Sequence, residues 1–293
     1  MKVSRAVIIL SICIIPLTLI ASGSGLFRIE GGNSYMFTTI QGEEVEIYGR
    51  GLYHLNTSFR APILRGTDAI LLFIGLPLLV LATFLYKRGS LQGGFLLTGL
   101  LACFLYNAIS VAFGAVYNSM YLLYLLLFSV SLFAFILAFG SINLKTFNEK
   151  ISAKIPYCGI AIFIFIAGLS PSVWLVDIIF ALLEGGVPQN LAHYTTDVTT
   201  LLDVGVITPS AFLASVLMLR RKPMGVLLSS TLLILLTLIG LIVVAQSVMQ
   251  IIDGIRLSTS EFALFVVPFV TLSLIAAGLN VVMLRNIDKC KSL

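Results

Sequence analysis

The chain has 293 residues, of which 59% are hydrophobic and only 11% are charged. A soluble domain usually carries about 25% charged and 45–50% apolar residues. The apolar excess falls into repeated runs of roughly 18–28 residues, long enough to cross a ~30 Å hydrocarbon layer as helices. The composition therefore excludes a water-soluble globular protein and predicts an all-α integral membrane helix bundle.

The first apolar run, from Ala6 to about Ala21, follows a basic N-terminus. Residues 1–27 are therefore either a cleaved signal peptide or a signal anchor that forms the first span, and we favour the anchor. Residues 68–293 are predicted to form the rest of a bundle of about eight transmembrane helices. The seven further spans are placed at roughly 68–86, 92–116, 121–143, 155–182, 203–219, 224–250 and 261–284.

Basic residues mark one side of the predicted membrane. Most of the 18 basic residues fall on the side of the N-terminus, and all 13 acidic residues except Glu149 and Asp288 fall on the other side. An excess of Lys and Arg marks the cytoplasmic face. We therefore expect a multi-pass protein of the cell membrane with both termini in the cytoplasm. The net charge of +5 follows from this distribution, so it does not indicate a nucleic-acid partner.

Residues 28–67 are predicted to form a small extracytoplasmic β-rich cap. Within YMFTTIQGEEVEIYGRGLYHL, apolar and polar residues partly alternate on both sides of Gln41-Gly42-Glu43-Glu44. This pattern is typical of a β-hairpin. An isolated hairpin is only marginally stable in water, so we expect it to rest on the helix ends.

Most of the chain, from about Gly42 to Val243, resembles a group of bacterial multi-pass membrane proteins to which no activity is assigned. The resemblance implies a shared membrane fold and brings no function with it. It is carried by RGTDAILLFIGLPLLVLA, RGSLQGGFLLTGLLACFLYNAISVAFGAVYN, LLYLLLFSVSLFAF and HYTTDVTTLLDVGVITPSAFLASVLMLRRKPMG.

The stretch AHYTTDVTTLLDVGVITP, residues 192–209, is unusually polar for this chain. On a helix its histidine, its two aspartates and two of its threonines would share one face, which runs from the outer surface toward the bilayer. Polar residues of other spans are expected at or below the same level. We predict a polar cup that opens on the extracytoplasmic side and is lined by Asp177, His193, Asp197, Asp203, Tyr106, Asn107, Gln246 and Gln250.

Each of these residues also has a purely structural interpretation. An aspartate at a helix start, Asp203 included, is often an N-cap, and aromatic residues near a helix end commonly form an interfacial belt. However, carboxylates held close together cost energy unless a cation, a proton or Arg256 offsets their charge. Recognition of a small molecule, a lipid or a partner membrane protein at this cup is therefore the favoured hypothesis, with the lipid bilayer as the surrounding partner.

Two other functions stay open. A small-solute transporter is suggested by the helix breakers Pro77, Pro171 and Pro268, which could open gaps in three spans. A membrane-embedded enzyme acting on a lipid-linked substrate is the other alternative. A metal-assisted hydrolase could use the side chains at 193, 197 and 203, although catalytic zinc commonly takes several histidines. No cofactor or metal is assigned.

Overall fold

The computed structural model describes residues 3–144, 155–188, 191–255 and 262–287. Within these ranges eight helices are long and apolar enough to cross a membrane, which confirms the predicted fold class. They are α1 (Arg5–Phe27), α2 (Arg60–Lys87), α3 (Leu91–Gly114), α4 (Tyr121–Gly140), α5 (Tyr157–Glu184), α6 (Val198–Leu219), α7 (Pro223–Ile252) and α8 (Val267–Ile287).

The start of α2 differs from the prediction. The helix begins at Arg60, about two turns before residue 68, so Arg65 lies on the helix and not in the cap. Residues 60–68 combine charged residues with a proline, and this pattern does not predict a helix. In the structure Pro62 lies in the first turn, where a backbone N–H has no helical acceptor, so the proline is tolerated.

The start of α6 also differs. Asp197 is the N-cap, and its carboxylate accepts hydrogen bonds from the backbone N–H groups of Thr199 and Thr200. The helix therefore begins at Val198, and residues 192–197 are not helical. The predicted continuous helical stripe from His193 to Asp203 is not formed.

Breaks in the regular helix occur in or next to four spans. Three are five-residue π turns, each followed by a proline two positions later, and the fourth is a 3-10 turn. Proline removes a backbone N–H and crowds the preceding turn, and a π turn is one way for a helix to accommodate the change. The breaks are Leu71–Gly75 in α2, Ser170–Val173 in α5, Asp203–Ile207 in α6 and Phe262–Val266 before α8.

Two helical hairpins, α2–α3 and α6–α7, share one construction. Each has a π turn, a proline, a left-handed residue at the tight turn and then a glycine in the next helix. A Cβ on that glycine would overlap the backbone of the preceding helix, so both hairpins close on a glycine. The spacing is the same in both: Pro77, Gly89 and Gly93 in the first, and Pro209, Arg221 and Gly225 in the second.

Helices α3 and α7 lie at the centre of the bundle. They pack against each other, and α7 also contacts α2, α5, α6 and α8. One buried apolar cluster joins α1–α4 to α7, and a second joins α5–α8 to Phe95 of α3. Small residues allow the close approaches that drive helix association in lipid. At Gly66 of α2, for example, a Cβ would overlap the backbone of Gln246 in α7.

The predicted hairpin is present, with strands β1 (Tyr35–Thr38) and β2 (Glu44–Ile47) paired so that Tyr35 lies opposite Ile47. Residues after β2 return across the helix ends, where Tyr48, Leu52 and Tyr53 are buried against Ala61 and Leu64 of α2. Residues 28–59 are called the cap below. The membrane face beneath it is the cap side, and the opposite face, where α1 begins and α8 ends, is the terminal side.

Candidate functional site

The carboxylate of Asp203 lies among three helices near the cap side. Its Oδ1 accepts a 2.8 Å hydrogen bond from the Tyr106 hydroxyl of α3, and its Oδ2 accepts a 3.3 Å bond from the indole Nε1 of Trp174 in α5. Asp203 is only 9% exposed. The structure thus brings together two of the predicted residues, Tyr106 and Asp203, and adds Trp174. These three residues are called the Asp203 centre below.

The helix breaks explain how these side chains meet. Asp203 opens the π turn of α6, and Trp174 directly follows the 3-10 turn of α5. The two breaks contact each other, and the Thr208 hydroxyl donates a 2.8 Å bond to the carbonyl of Gly168 across them. Phe269 follows the π turn before α8 and stacks on Trp174, with ring centroids 6.3 Å apart. Irregular segments of α5 and α6 therefore meet at this carboxylate, and Phe269 of α8 packs on its indole donor.

Asp197 has a structural role that the sequence offered only as the alternative. Besides capping α6, its Oδ1 forms a 3.1 Å ion pair with Arg60, and its Oδ2 accepts a bond from the Thr200 hydroxyl. Arg60 also lies over the ring of Tyr194, 4.4 Å from the centroid. The charge of Asp197 is therefore balanced by Arg60. Arg256, the cation suggested by the sequence, lies outside the described residues.

His193 holds the loop before α6 onto the cap and does not line the Asp203 centre. Its Nε2 is 3.1 Å from the carbonyl oxygen of Leu55, and its ring stacks on Tyr194. The Tyr194 hydroxyl in turn bonds to Asn56 and Thr57. Burial lowers the pKa of His193, so the ring is neutral near pH 7, and burial raises the pKa of Tyr194.

The metal site considered from the sequence is not assembled. Asp197 caps a helix, His193 faces the cap and Asp203 faces α3 and α5. Among the residues that the structure describes, no three His, Cys, Asp or Glu side chains are grouped so that they could hold a metal ion.

The remaining predicted residues mostly connect helices. Gln246 donates a 2.8 Å bond to the Thr67 hydroxyl of α2, and Gln250 donates a 3.4 Å bond to the carbonyl of Phe59. Asn107 donates to the Cys103 carbonyl of its own helix, so it does not form the floor of a cup with Asp203. Asp177 is half-buried and follows Trp174 by one helical turn.

A third carboxylate, Asp253, forms a network that the sequence did not predict. It accepts 2.8 Å contacts from Arg65 of α2, from Arg50 of the cap and from the Tyr48 hydroxyl. Burial raises the pKa of Tyr48, which keeps the hydroxyl protonated as a donor. The only sequence signal was that basic residues of the outer side are concentrated before residue 66, opposite the acidic residues of the later loops.

A fourth carboxylate, Asp68, was placed at a span boundary by the sequence and proves to be enclosed, with 5% exposure. It accepts a 2.7 Å bond from the hydroxyl of Tyr53, and it lies directly against the α-carbon face of Gly25 in α1. Burial raises the pKa of Tyr53 well above its ordinary value, so this cap residue stays protonated. The sequence signal was an acid followed immediately by an apolar run.

No family model, curated protein or solved structure matches the chain. The geometry alone therefore distinguishes the four carboxylates. Asp197 and Asp253 are paired with arginines, whereas Asp203 and Asp68 accept hydrogen bonds from the neutral groups of Tyr106 and Tyr53. A carboxylate in this environment favours a proton or a cation beside it.

Proposed function

We propose that the protein binds a small solute carrying an ammonium group at the Asp203 centre, close to the cap side of the membrane. The observation that supports this most directly is the lack of any ion pair to Asp203 among the described residues, whereas Asp197 has one and Asp253 has two. A buried carboxylate held only by a phenol and an indole retains Coulomb attraction for a cation.

The aromatic residues around Asp203 fit the same solute. The indole of Trp174 and the phenol of Tyr106 reach the carboxylate, and Phe269 stacks on the indole from behind it. Ring faces attract ammonium groups through the quadrupole of their π systems, by about 0.5–2 kcal/mol for each contact. A carboxylate flanked by such rings is a general arrangement for recognising organic ammonium compounds.

The position of the site is compatible with entry from the cap side. Asp203 lies five residues inside the first residue of α6, or about 8 Å, and about 25 Å from the terminal end of that helix. The solute would thus be held in the outer part of the bundle, as the sequence hypothesis of an extracytoplasmic cup requires.

Transport is the second candidate function, supported by the helix breaks. The π turn before Pro209 and the 3-10 turn at Pro171 lie next to residues of the centre, and the π turn before Pro268 precedes Phe269, which stacks on Trp174. Interrupted helices that flank a buried charge are typical of secondary transporters, in which the interruption exposes backbone groups and permits rocking of one part of the bundle. Binding is common to both functions, and uptake distinguishes them.

Binding can be measured by isothermal titration of the detergent-purified protein with choline, and with 3,3-dimethylbutanol as its uncharged carbon isostere. We expect choline to bind and the isostere not to bind. Asp203→Asn should weaken choline binding at least tenfold because it removes the charge and keeps the shape. Tyr106→Phe should weaken binding less, because it removes only a positioning hydroxyl.

The matched control is Glu44→Gln, an acid-to-amide change at an exposed position of the cap, which should keep the wild-type affinity. Equal binding of choline and its isostere, or wild-type affinity in a folded Asp203→Asn protein, would overturn the proposal. Uptake of labelled choline into proteoliposomes, if it depends on Asp203, would assign transport; binding without uptake would assign recognition alone.

A further inference from the structure

Five hydroxyl groups inside the first half of the bundle, helices α1–α4, have no hydrogen-bond partner among the described residues, although their oxygens are fully enclosed. A buried hydroxyl without a partner is destabilising, and internal water is the usual partner of such groups. The five are Ser11 and Thr18 of α1, Thr83 of α2, and Tyr124 and Ser131 of α4.

These hydroxyls lie on buried faces of α1, α2 and α4. The buried residues of α1 recur every three or four positions and include Ser11 and Thr18, and those of α4 include Tyr124 and Ser131 in the same way. Helix α1 packs against both α2 and α4. The unpaired groups therefore share one interior.

Two contacts fix the levels of the helices relative to each other. On the terminal side the backbone N–H of Ser4 donates a 3.1 Å bond to the Tyr86 hydroxyl. On the cap side the Ser22 hydroxyl interacts with the Asp68 carboxylate. Ser4 and Ser22 are 18 residues apart along α1, and Asp68 and Tyr86 are 18 residues apart along α2, which is about 27 Å in each helix. Helices α1 and α2 therefore run side by side across the whole bilayer.

The hydroxyls divide this distance into short steps. Measured from Tyr86, Thr83 lies about 5 Å higher, Ser11 about 10 Å and Thr18 about 21 Å. Tyr124 of α4 interacts with Tyr53, so it lies at the level of Asp68. Ser131 is two turns further toward the terminal side, and its level therefore falls between those of Ser11 and Thr18. Successive groups are about 4–6 Å apart along the membrane normal, a gap that one water molecule spans.

The second half of the bundle, helices α5–α8, contains buried hydroxyls that bond to backbone carbonyls and serve close packing. There the hydroxyls of Ser215, Thr231 and Ser273 each donate to a backbone carbonyl. Among the described residues of that half, Ser229 carries the only buried hydroxyl without a hydrogen-bond partner. Close helix packing therefore does not by itself require the unpaired hydroxyls of the first half.

We propose that Asp68, Thr18, Ser131, Ser11, Thr83 and Tyr86 line a proton-conducting path through α1, α2 and α4, with water between the hydroxyls. A proton that reaches the Asp68 carboxylate converts it to the acid. Release of that proton to the next hydroxyl or water on the path restores the carboxylate, while each oxygen along the path accepts one proton and passes one on. One proton crosses for each cycle and nothing else changes, so the transmembrane proton gradient is the driving force.

The surroundings of Asp68 suit a proton and leave no room for a larger ion. The α-carbon of Gly25 lies against the carboxylate. The titratable and charged groups that interact with Asp68 are Tyr53 from the cap, Tyr124 from α4 and Arg65 one turn earlier on its own helix. Tyr53 of the cap donates a hydrogen bond to Asp68 and is 1% exposed, so in this proposal protons enter through its hydroxyl. The path does not involve the Asp203 centre.

The test is proton flux into proteoliposomes that contain a trapped pH-sensitive dye, driven by a potassium diffusion potential with valinomycin. We expect the wild-type protein to conduct at least tenfold faster than protein-free liposomes. Asp68→Asn should lower the protein-dependent flux at least tenfold, because an amide does not take up and release the proton. Thr18→Val removes one hydroxyl at nearly constant volume and should lower the flux several-fold.

Ser229→Ala is the matched control, because it removes the unpaired hydroxyl of the other half and should keep the wild-type flux. Thermal unfolding of each variant establishes that it is folded. Wild-type flux equal to that of empty liposomes would overturn the proposal. So would undiminished flux in folded Thr18→Val protein, which keeps the test decisive even if Asp68→Asn does not fold.

Discussion

The hydroxyl of Tyr48 in the cap donates a 2.8 Å hydrogen bond to the carboxylate of Asp253 at the end of α7. The same carboxylate pairs with Arg65 of α2 and Arg50 of the cap. One acidic residue thus joins a β-rich surface segment to two transmembrane helices. The cap, which would be marginal by itself, is held by buried polar contacts to the bundle.

Asp253→Asn should be strongly destabilising. The side chain of Asp253 is 6% exposed and that of Arg65 is 12% exposed, so the substitution leaves an enclosed guanidinium without its counter-charge. We expect a loss of about 3 kcal/mol in the free energy of unfolding. Arg50→Gln, at a side chain that is 44% exposed, should cost about 0–1 kcal/mol. Chemical denaturation in detergent measures both, and equal losses would contradict this assignment.

Gly25→Ala should destabilise the protein by about 1–3 kcal/mol, since a new methyl group would overlap the Asp68 carboxylate and crowd the Tyr53 hydroxyl. Gly23→Ala is the control two residues earlier on the same helix, where a Cβ meets nothing within 4 Å. That change should be neutral or slightly stabilising because alanine favours helix. Thermal unfolding midpoints that fall equally for the two variants would disprove the close contact.

Gly66→Ala should separate α2 from α7. The obstructing atoms belong to the backbone of Ala245 and Gln246, which cannot rotate away as a side chain could. We expect a loss of about 2–3 kcal/mol and loss of the Gln246–Thr67 hydrogen bond. The control is Gly278→Ala in α8, where a Cβ has open space. A cysteine pair engineered across α2 and α7 should crosslink more slowly in Gly66→Ala than in Gly278→Ala.

His193 should make the attachment of the loop before α6 dependent on pH. Burial lowers its pKa below the ordinary value of 6.5, and its Nδ1 is enclosed with no described partner, so the folded state favours the neutral ring. This contribution to stability is complete above about pH 6.5 and declines as the pH falls below it, through the lowered pKa of the folded state.

The measurement compares unfolding of wild type with His193→Gln between pH 7.5 and pH 5. Glutamine can still donate to the Leu55 carbonyl and does not titrate in this range. We expect the wild type to lose stability on acidification relative to the variant. A constant difference between the two proteins across this range would show that His193 does not titrate with folding.

The fold could be predicted because the length of each apolar run and the distribution of basic residues can both be read directly from the sequence. Apolar runs ended by basic clusters at residues 87–88 and 220–222 define spans without knowledge of any contact. The start of α2 was misplaced for the same reason. Arg60 and Arg65 precede the apolar run, and only their partners in other segments show that they belong on a helix.

The site could be predicted only in part. Tyr106 and Asp203 were both predicted to line the cup, but Trp174 joins them because of a 3-10 turn whose consequences the sequence does not reveal. Asp197 looked equivalent to Asp203 by periodicity. A cap bond and Arg60 make it structural, and both depend on where the helix begins.

The identical spacing of the α2–α3 and α6–α7 hairpins means that both halves of the chain, α1–α4 and α5–α8, turn back by the same local construction. These turns depend on contacts between consecutive helices, whereas the two halves meet where α7 packs against α2 and α3. We therefore expect that polypeptides severed between α4 and α5 and synthesised separately will reassociate in the membrane into a native-like complex.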